Sequence, residues 1–143
     1  MIPKFRAWDV HNKKMLVVND ICNLFWENTF FECYELVPDP KGKREYELIN
    51  HRIDFEDCVL MQSTGLFDVN GKEIFEGDVV KLVDEYGDSG MSKVTSQEGA
   101  LGMVIEEVFV PFATISILST VDYTLEIIGN SHQNPELMEV NND

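Results

Sequence analysis

Short apolar runs separated by turn-forming residues recur along the whole chain, at the spacing of strands rather than helices. Strand-type runs fall at Lys4–Trp8, Met15–Val18, Phe30–Val37, Glu45–Ile49 and Cys58–Gln62. His11-Asn12-Lys13-Lys14 reads as the turn of a first hairpin. Pro38-Asp39-Pro40-Lys41-Gly42-Lys43 is a stronger break, because two prolines cannot donate to a sheet ladder and the glycine accepts unusual backbone angles; it joins two antiparallel strands. Between Asp20 and Asn28 two assignments stay open. Ile21, Leu24 and Phe25 share one face at helical spacing behind Asn19 or Asp20 as cap, while the aromatic run fits a strand equally well.

The stretch Leu60–Val80, LMQSTGLFDVNGKEIFEGDVV, sets two turn signals inside alternating apolar runs. Asn70-Gly71 suits a tight antiparallel turn with positive φ, which pairs Phe67 with Ile74 and Leu66 with Phe75. It also sets Asp68 opposite Glu73, an unfavourable like-charge pair, so a looser connection is the alternative. Glu76-Gly77-Asp78 is the second punctuation and launches the β-branched run Val79–Val83 through a sharp corner. Gly65, Gly71 and Gly77 recur every six residues as strand corners, with no phosphate-cradling pattern. Asp84–Gly99 is polar and reads as a long surface loop. Leu101–Val110, Phe112–Leu118 and Tyr123–Ile128 follow as strands, broken at Pro111 and near Ser119-Thr120. Pro135 can start a last helical turn. The predicted fold is mainly β with little helix. An antiparallel N-terminal β region spans residues 1–57, a small SH3-like barrel spans 58–138, and 139–143 form a frayed tail.

That same stretch resembles the signature of the YopX family, small proteins encoded by bacteriophages and prophages. Pro3-Lys4-Phe5-Arg6-Ala7-Trp8-Asp9 with Lys13-Lys14-Met15 resembles the family's opening, and Glu126-Ile127-Ile128-Gly129-Asn130 with Asn134-Pro135-Glu136-Leu137 resembles its close. The residues of Ile21–Phe55 and Asp84–Ala100 carry none of the resemblance. It implies a phage or prophage origin and a β-rich fold. The family's biochemical role is not established, so no catalytic residue transfers, and Gly65, Gly71, Gly77, Asp78, Gly129 and Asn130 are expected to be structural.

Composition changes the picture in three ways. A chain of 143 residues fits one domain, or one domain with a small subdomain, and buries roughly 68–70% of its unfolded surface, enough for a core without metal or disulfide. Cys22, Cys33 and Cys58 are an odd number with no C-x-x-C spacing, and no signal-like stretch opens the chain; a soluble protein of a reducing bacterial cytoplasm is expected. No apolar run approaches the ~20 residues of a membrane helix. The charge balance is the outlier: 11 Lys and Arg against 26 Asp and Glu, a formal net charge of −15. Direct nucleic-acid binding requires clustered cations, and only Lys41-Gly42-Lys43-Arg44 offers any. An acidic surface serves solubility first, although it also suits a basic partner or imitation of a phosphate backbone.

Candidate chemistry is sparse. His51, Asp54, Asp57 and Cys58 are ligand types that zinc accepts, but in an extended segment His51 and Asp54 point to opposite faces, and no metal or cofactor is expected. Ser63 and Thr64 lack a nucleophile elbow and fit turn chemistry beside Gly65. His132 lies in a polar tail, near Asn130 and Asn134. The aromatic residues Trp8, Phe25, Trp26, Phe30, Phe31 and Tyr34 pack in the core, or stay on the surface as a protein interface if the sheet is thin. The leading expectation is a non-enzymatic accessory protein that binds another protein, including a second copy of itself, through this aromatic half. A nucleic-acid mimic acting on a host protein is the alternative. An enzyme would need a pocket gathering His51, Asp57 and His132.

Overall fold

The computed structural model describes residues 4–24, 28–38, 46–105, 107–114 and 124–139. The chain is mainly β, with two antiparallel sheets and almost no helix. Its strands are β1 (Phe5–Asp9), β2 (Lys14–Cys22), β3 (Phe30–Pro38), β4 (Tyr46–Asp54), β5 (Cys58–Phe67), β6 (Glu73–Phe75), β7 (Asp78–Val83), β8 (Ser89–Gln97), β9 (Ala100–Ile105), β10 (Val108–Pro111) and β11 (Thr124–Asn130). A 3-10 turn, Phe55–Asp57, precedes β5, and a short helix, Glu136–Glu139, follows β11. The hydrogen-bonded orders are β4-β3-β2-β1-β5-β6 and β10-β9-β8-β7-β11. Two compact units divide at Gln62/Ser63, in the middle of β5.

In the N-terminal unit, period-2 alternation sorts the side chains into two faces. The register sets Ala7 opposite both Leu16 and Leu60, Cys33 opposite Val18, and Phe31 opposite Ile53. These residues therefore share a face, and Ala7, Leu16, Phe31, Cys33 and Ile53 form its buried core, with Val18, Ile21, Cys58 and Leu60 packed against it. Burying a side chain such as Leu16 stabilises by about 1.5–3 kcal/mol relative to exposure. Val18 and Ile21 are an odd number of residues apart, so strict alternation would turn Ile21 outward. A register shift between Val18 and Asp20 inserts one extra residue and returns Ile21 to the core face. This bulge decides the ambiguity between Asp20 and Asn28: Asp20–Cys22 continue β2, so the helical alternative fails there, while Phe25 and Trp26 lie outside the described residues. β3 and β4 pair antiparallel from Phe30 opposite Asp54 to Pro38 opposite Tyr46, and the break that joins them lies outside the described residues.

The C-terminal unit buries Ile74, Val80, Val94 and Met103, supported by Leu82, Ile105, Phe112, Leu125 and Ile127. Three sequence expectations are corrected here. The polar stretch expected as one loop holds a short turn, in which the Asp84 carboxylate accepts the N–H groups of Tyr86 and Asp88, and then the paired strand β8. β8 buries one large apolar side chain, Val94, and its buried Ser92 hydroxyl both donates to the Val104 carbonyl and accepts the Val104 N–H. Ladder bonds hold it where hydropathy is silent. The run Leu101–Val110 is two strands, β9 and β10, folded on each other with Glu107 at φ 67° in the turn. Of the strand expected over Phe112–Leu118, residues 112–114 are helical and the remainder lies outside the described residues. β10 and β11 end this sheet, and no ladder joins them among the described residues.

Candidate functional site

The signature stretch is built from backbone-binding side chains. Asp68 is buried, and one carboxylate oxygen accepts the N–H groups of Asn70 and Lys72 at 2.9 Å each while the other accepts Ile127 N–H at 3.1 Å. Those bonds hold its carboxyl below the usual range against the opposing effect of burial. The expected register is therefore replaced by the looser connection: Phe67 faces Glu73 and Ser63 faces Phe75, with a shift between them. Like charges no longer meet, because Asp68 turns into the loop. Gly77, at φ 91°, sits in a corner where its N–H donates to Val94 O and its carbonyl accepts Ser131 N–H. Asp78 accepts Phe75 N–H, and Asn130 accepts the N–H groups of His132 and Gln133. A Cβ at Gly129 would lie 2.6 Å from Asn134 Oδ1. Each of these motif positions serves local backbone geometry.

The titratable candidates separate into unrelated pairs. His11 Nε2 lies 2.9 Å from Asp57. His51 Nε2 lies 2.9 Å from Glu35, whose other oxygen meets Lys14 Nζ at 3.2 Å. The His51 hydrogen bond, assisted by Lys14, holds the Glu35 carboxyl below its ordinary value despite partial burial. Cys58 Sγ is 3.8 Å from the Phe55 carbonyl, and among the described residues no three of His, Cys, Asp and Glu stand close enough to hold a metal. Burial pushes the Cys33 and Cys58 thiols up to about 11, and burial with Glu32 and Asp20 raises Cys22. Thr64 Oγ1 donates to Ile74 O, and Ser63 Oγ accepts Gly65 N–H. His51 and Asp57 keep different partners in the N-terminal unit, and His132 belongs to the other unit.

The aromatic series is also divided. Phe31 is 1% exposed and Trp8 9%, so these two are core groups and not surface ones. The register explains Phe31, which shares its face with Leu16 and Ile53. Phe30 points the other way and is half-buried, covered by Arg52, whose guanidinium carbon lies 3.7 Å from the ring centroid. Phe25 and Trp26 lie outside the described residues. The face opposite the core cluster carries Trp8 across from Met15 and Val59, with Met61 buried on it as well, and around them a partly exposed band in which the sequence singled out Tyr34 but not the valines. Val17 is 49% and Val59 40% exposed, with half-buried Met15 and Tyr34 beside them. Tyr34 pairs laterally with both Val17 and Asn50, which carries the band to the β4 edge. There a cleft of about 430 Å³ is lined by Asn19, Glu32, Tyr34, Asn50 and Arg52, together with Cys33 and His51. The doublet Val17-Val18 was the available signal, since neighbouring valines in a strand must face opposite sides.

Two solved structures resemble the whole chain. Protein EF1440 from Enterococcus faecalis matches at 31% identity with a TM-score of 0.57, covering 96% of this chain and 99% of that one. Protein yopX from Bacillus subtilis matches at 21% identity with a TM-score of 0.55, covering 94% and 96%, and this likeness speaks to the fold alone. No curated protein matches. The family described as YopX protein matches residues 4–139, and the chain belongs to that family.

Proposed function

We propose that this chain is a non-enzymatic accessory protein of phage or prophage origin that acts in the bacterial cytoplasm by binding another protein, a second copy of itself included. The observation that carries the proposal is the partly exposed band of the N-terminal sheet, where Val17 and Val59 are about half exposed beside half-buried Met15 and Tyr34. Branched apolar side chains on a partly exposed sheet face lose their water contact when a partner covers them, and such a patch suits an interface. Nothing in the band depends on a reactive group. Within this proposal the C-terminal unit is a small SH3-like barrel, a reading supported by the meander β7-β8-β9-β10 with β11 returning beside β7.

The net charge of −15 motivates the mimic alternative, but it receives less support. The carboxylates of Asp9, Asp68, Asp78 and Asp84 accept backbone N–H groups and are committed to turns and corners. The test is sedimentation velocity of the purified chain together with affinity capture from its host. Self-association or a captured partner is expected, reduced in Val17→Asp with stability unchanged. A chain that stays monomeric at every concentration and recovers no partner sinks the proposal.

A further inference from the structure

We propose that β4 accepts an extended segment of a partner protein as an added strand, and that this segment places a carboxylate side chain at Arg52. This rests on the protein-binding reading and names the chemistry of the partner. An edge strand offers a row of unpaired N–H and C=O groups, a ready template for another chain. β4 is nine residues long and, among the described residues, pairs only with β3. The other edges are closed or short. The 68–70 turn lies on β11, with Val69 N–H donating to Leu125 O and Ile127 N–H to the Asp68 carboxylate. β10 has four residues and ends in Pro111, and β6 has three.

The side chains along β4 say what such a segment should carry. On one face Ile49 is 40% exposed and suits an apolar neighbour. On the other, Asn50 and Arg52 border the cleft of about 430 Å³. None of the ion pairs among the described residues involves Arg52. Its guanidinium instead sits over the Phe30 ring, a contact that uses the π-face of the ring and leaves N–H donors for a carboxylate. Preorganised donors lose little freedom on binding, which favours recognition at this position. Glu32 lies opposite Arg52 in the β3–β4 register, so it opposes an incoming carboxylate and should weaken the site when charged. An added strand alternating valine and threonine, with glutamate among the threonines, would lay valine along Ile49 and glutamate over Arg52.

Fluorescence anisotropy of the intact chain with labelled Val/Thr peptides of β4's length, carrying Glu, Gln or Lys at the central threonine-side position, tests this. The Glu peptide should bind roughly two- to fivefold tighter than the Gln peptide, the size of a partly exposed ion pair, and the Lys peptide weakest. Arg52→Gln should erase the Glu preference while retaining the Gln peptide's affinity, and Glu32→Gln should widen it. Methylation of the peptide's edge-facing amide nitrogens should abolish binding of all three. Equal binding of the Glu and Gln peptides, a Glu preference that survives Arg52→Gln, or no binding at millimolar protein overturns the proposal. If Val17→Asp still weakens self-association or capture in that event, the strand addition fails alone. If it does not, the protein-binding reading fails with it.

Discussion

Gly102 provides the most direct test of how the C-terminal sheet is built. It sits on β9 opposite Pro111 of β10, and a Cβ added there would lie 2.3 Å from the Val110 carbonyl oxygen and 2.8 Å from Pro111 Cα. Ordinary contact begins at 3.4 Å, so relief requires a displacement of 3.4 − 2.3 = 1.1 Å. Both obstructing atoms are backbone and cannot rotate away. Either β10 peels from β9, its only strand neighbour among the described residues, or β9 moves and disturbs Met103, which is 1% exposed. Gly102→Ala should therefore cost about 1–3 kcal/mol, as overpacking does, and lower Tm by roughly 3–10 °C for a cooperative unit of this size. Thermal unfolding by circular dichroism measures the loss, and hydrogen exchange should show the β10 amides opening first. Gly71→Ala is the control: Gly71 has φ +79° with nothing within 4 Å, so it pays backbone strain of about 1–2 kcal/mol without a clash. If Gly102→Ala melts within a degree of the parent, or its β10 amides exchange normally, the close packing of β9 on β10 is wrong.

Other outcomes follow from the same geometry. Leu16→Ala should destabilise by about 2–5 kcal/mol in urea unfolding, whereas Val17→Ala, one residue on and facing solvent, should stay within about 0.5 kcal/mol; equal effects would contradict the assigned faces. Because the Asp68 carboxyl is depressed in the folded chain, its stabilisation is fully present above the unfolded value near 3.9 and is lost as pH falls through the lower folded value. Asp68→Ala should accordingly flatten the acid limb of the stability profile, and an unchanged limb would remove Asp68 as its source. With all three thiols raised and unpaired, Ellman's reagent at pH 8 should react slowly with the native chain and promptly with the unfolded one. A fast native burst would show an accessible thiolate.

Apolar-rich runs bounded by turn residues made β1, β3 and the start of β5 legible from the sequence. β2 was truncated at Val18, since the polar pair Asn19-Asp20 ends the apolar run while the bulge at Asn19 lets the strand continue. β8 was hidden because one valine and a buried serine replace the apolar stripe, and its position is fixed by ladder bonds that no residue-level scale records. The β9–β10 turn did leave a trace, the pair Glu106-Glu107 inside an apolar run, overshadowed by the hydrophobic residues around it. Of the candidate site, aromatic identity drew attention to Trp8 and Phe31, but their side of the sheet depends on register. Arg52 was unreadable because its defining contact, the Phe30 ring, lies on another strand.

Sheet edges are treated differently in different parts of this chain. Leu60–Val80 makes corners, and the carboxylate of Asp68 ties its turn to β11, so this stretch closes an edge against intruding strands. Its residues have architectural duties that fix their identity. β4 instead pairs with β3 alone among the described residues, and the Arg52–Phe30 contact lies beside its edge. Side chains beside that edge are not tied into the corners, so under the strand-addition proposal recognition would rest on β4 and not on the glycine corners, whose residues are committed to backbone geometry.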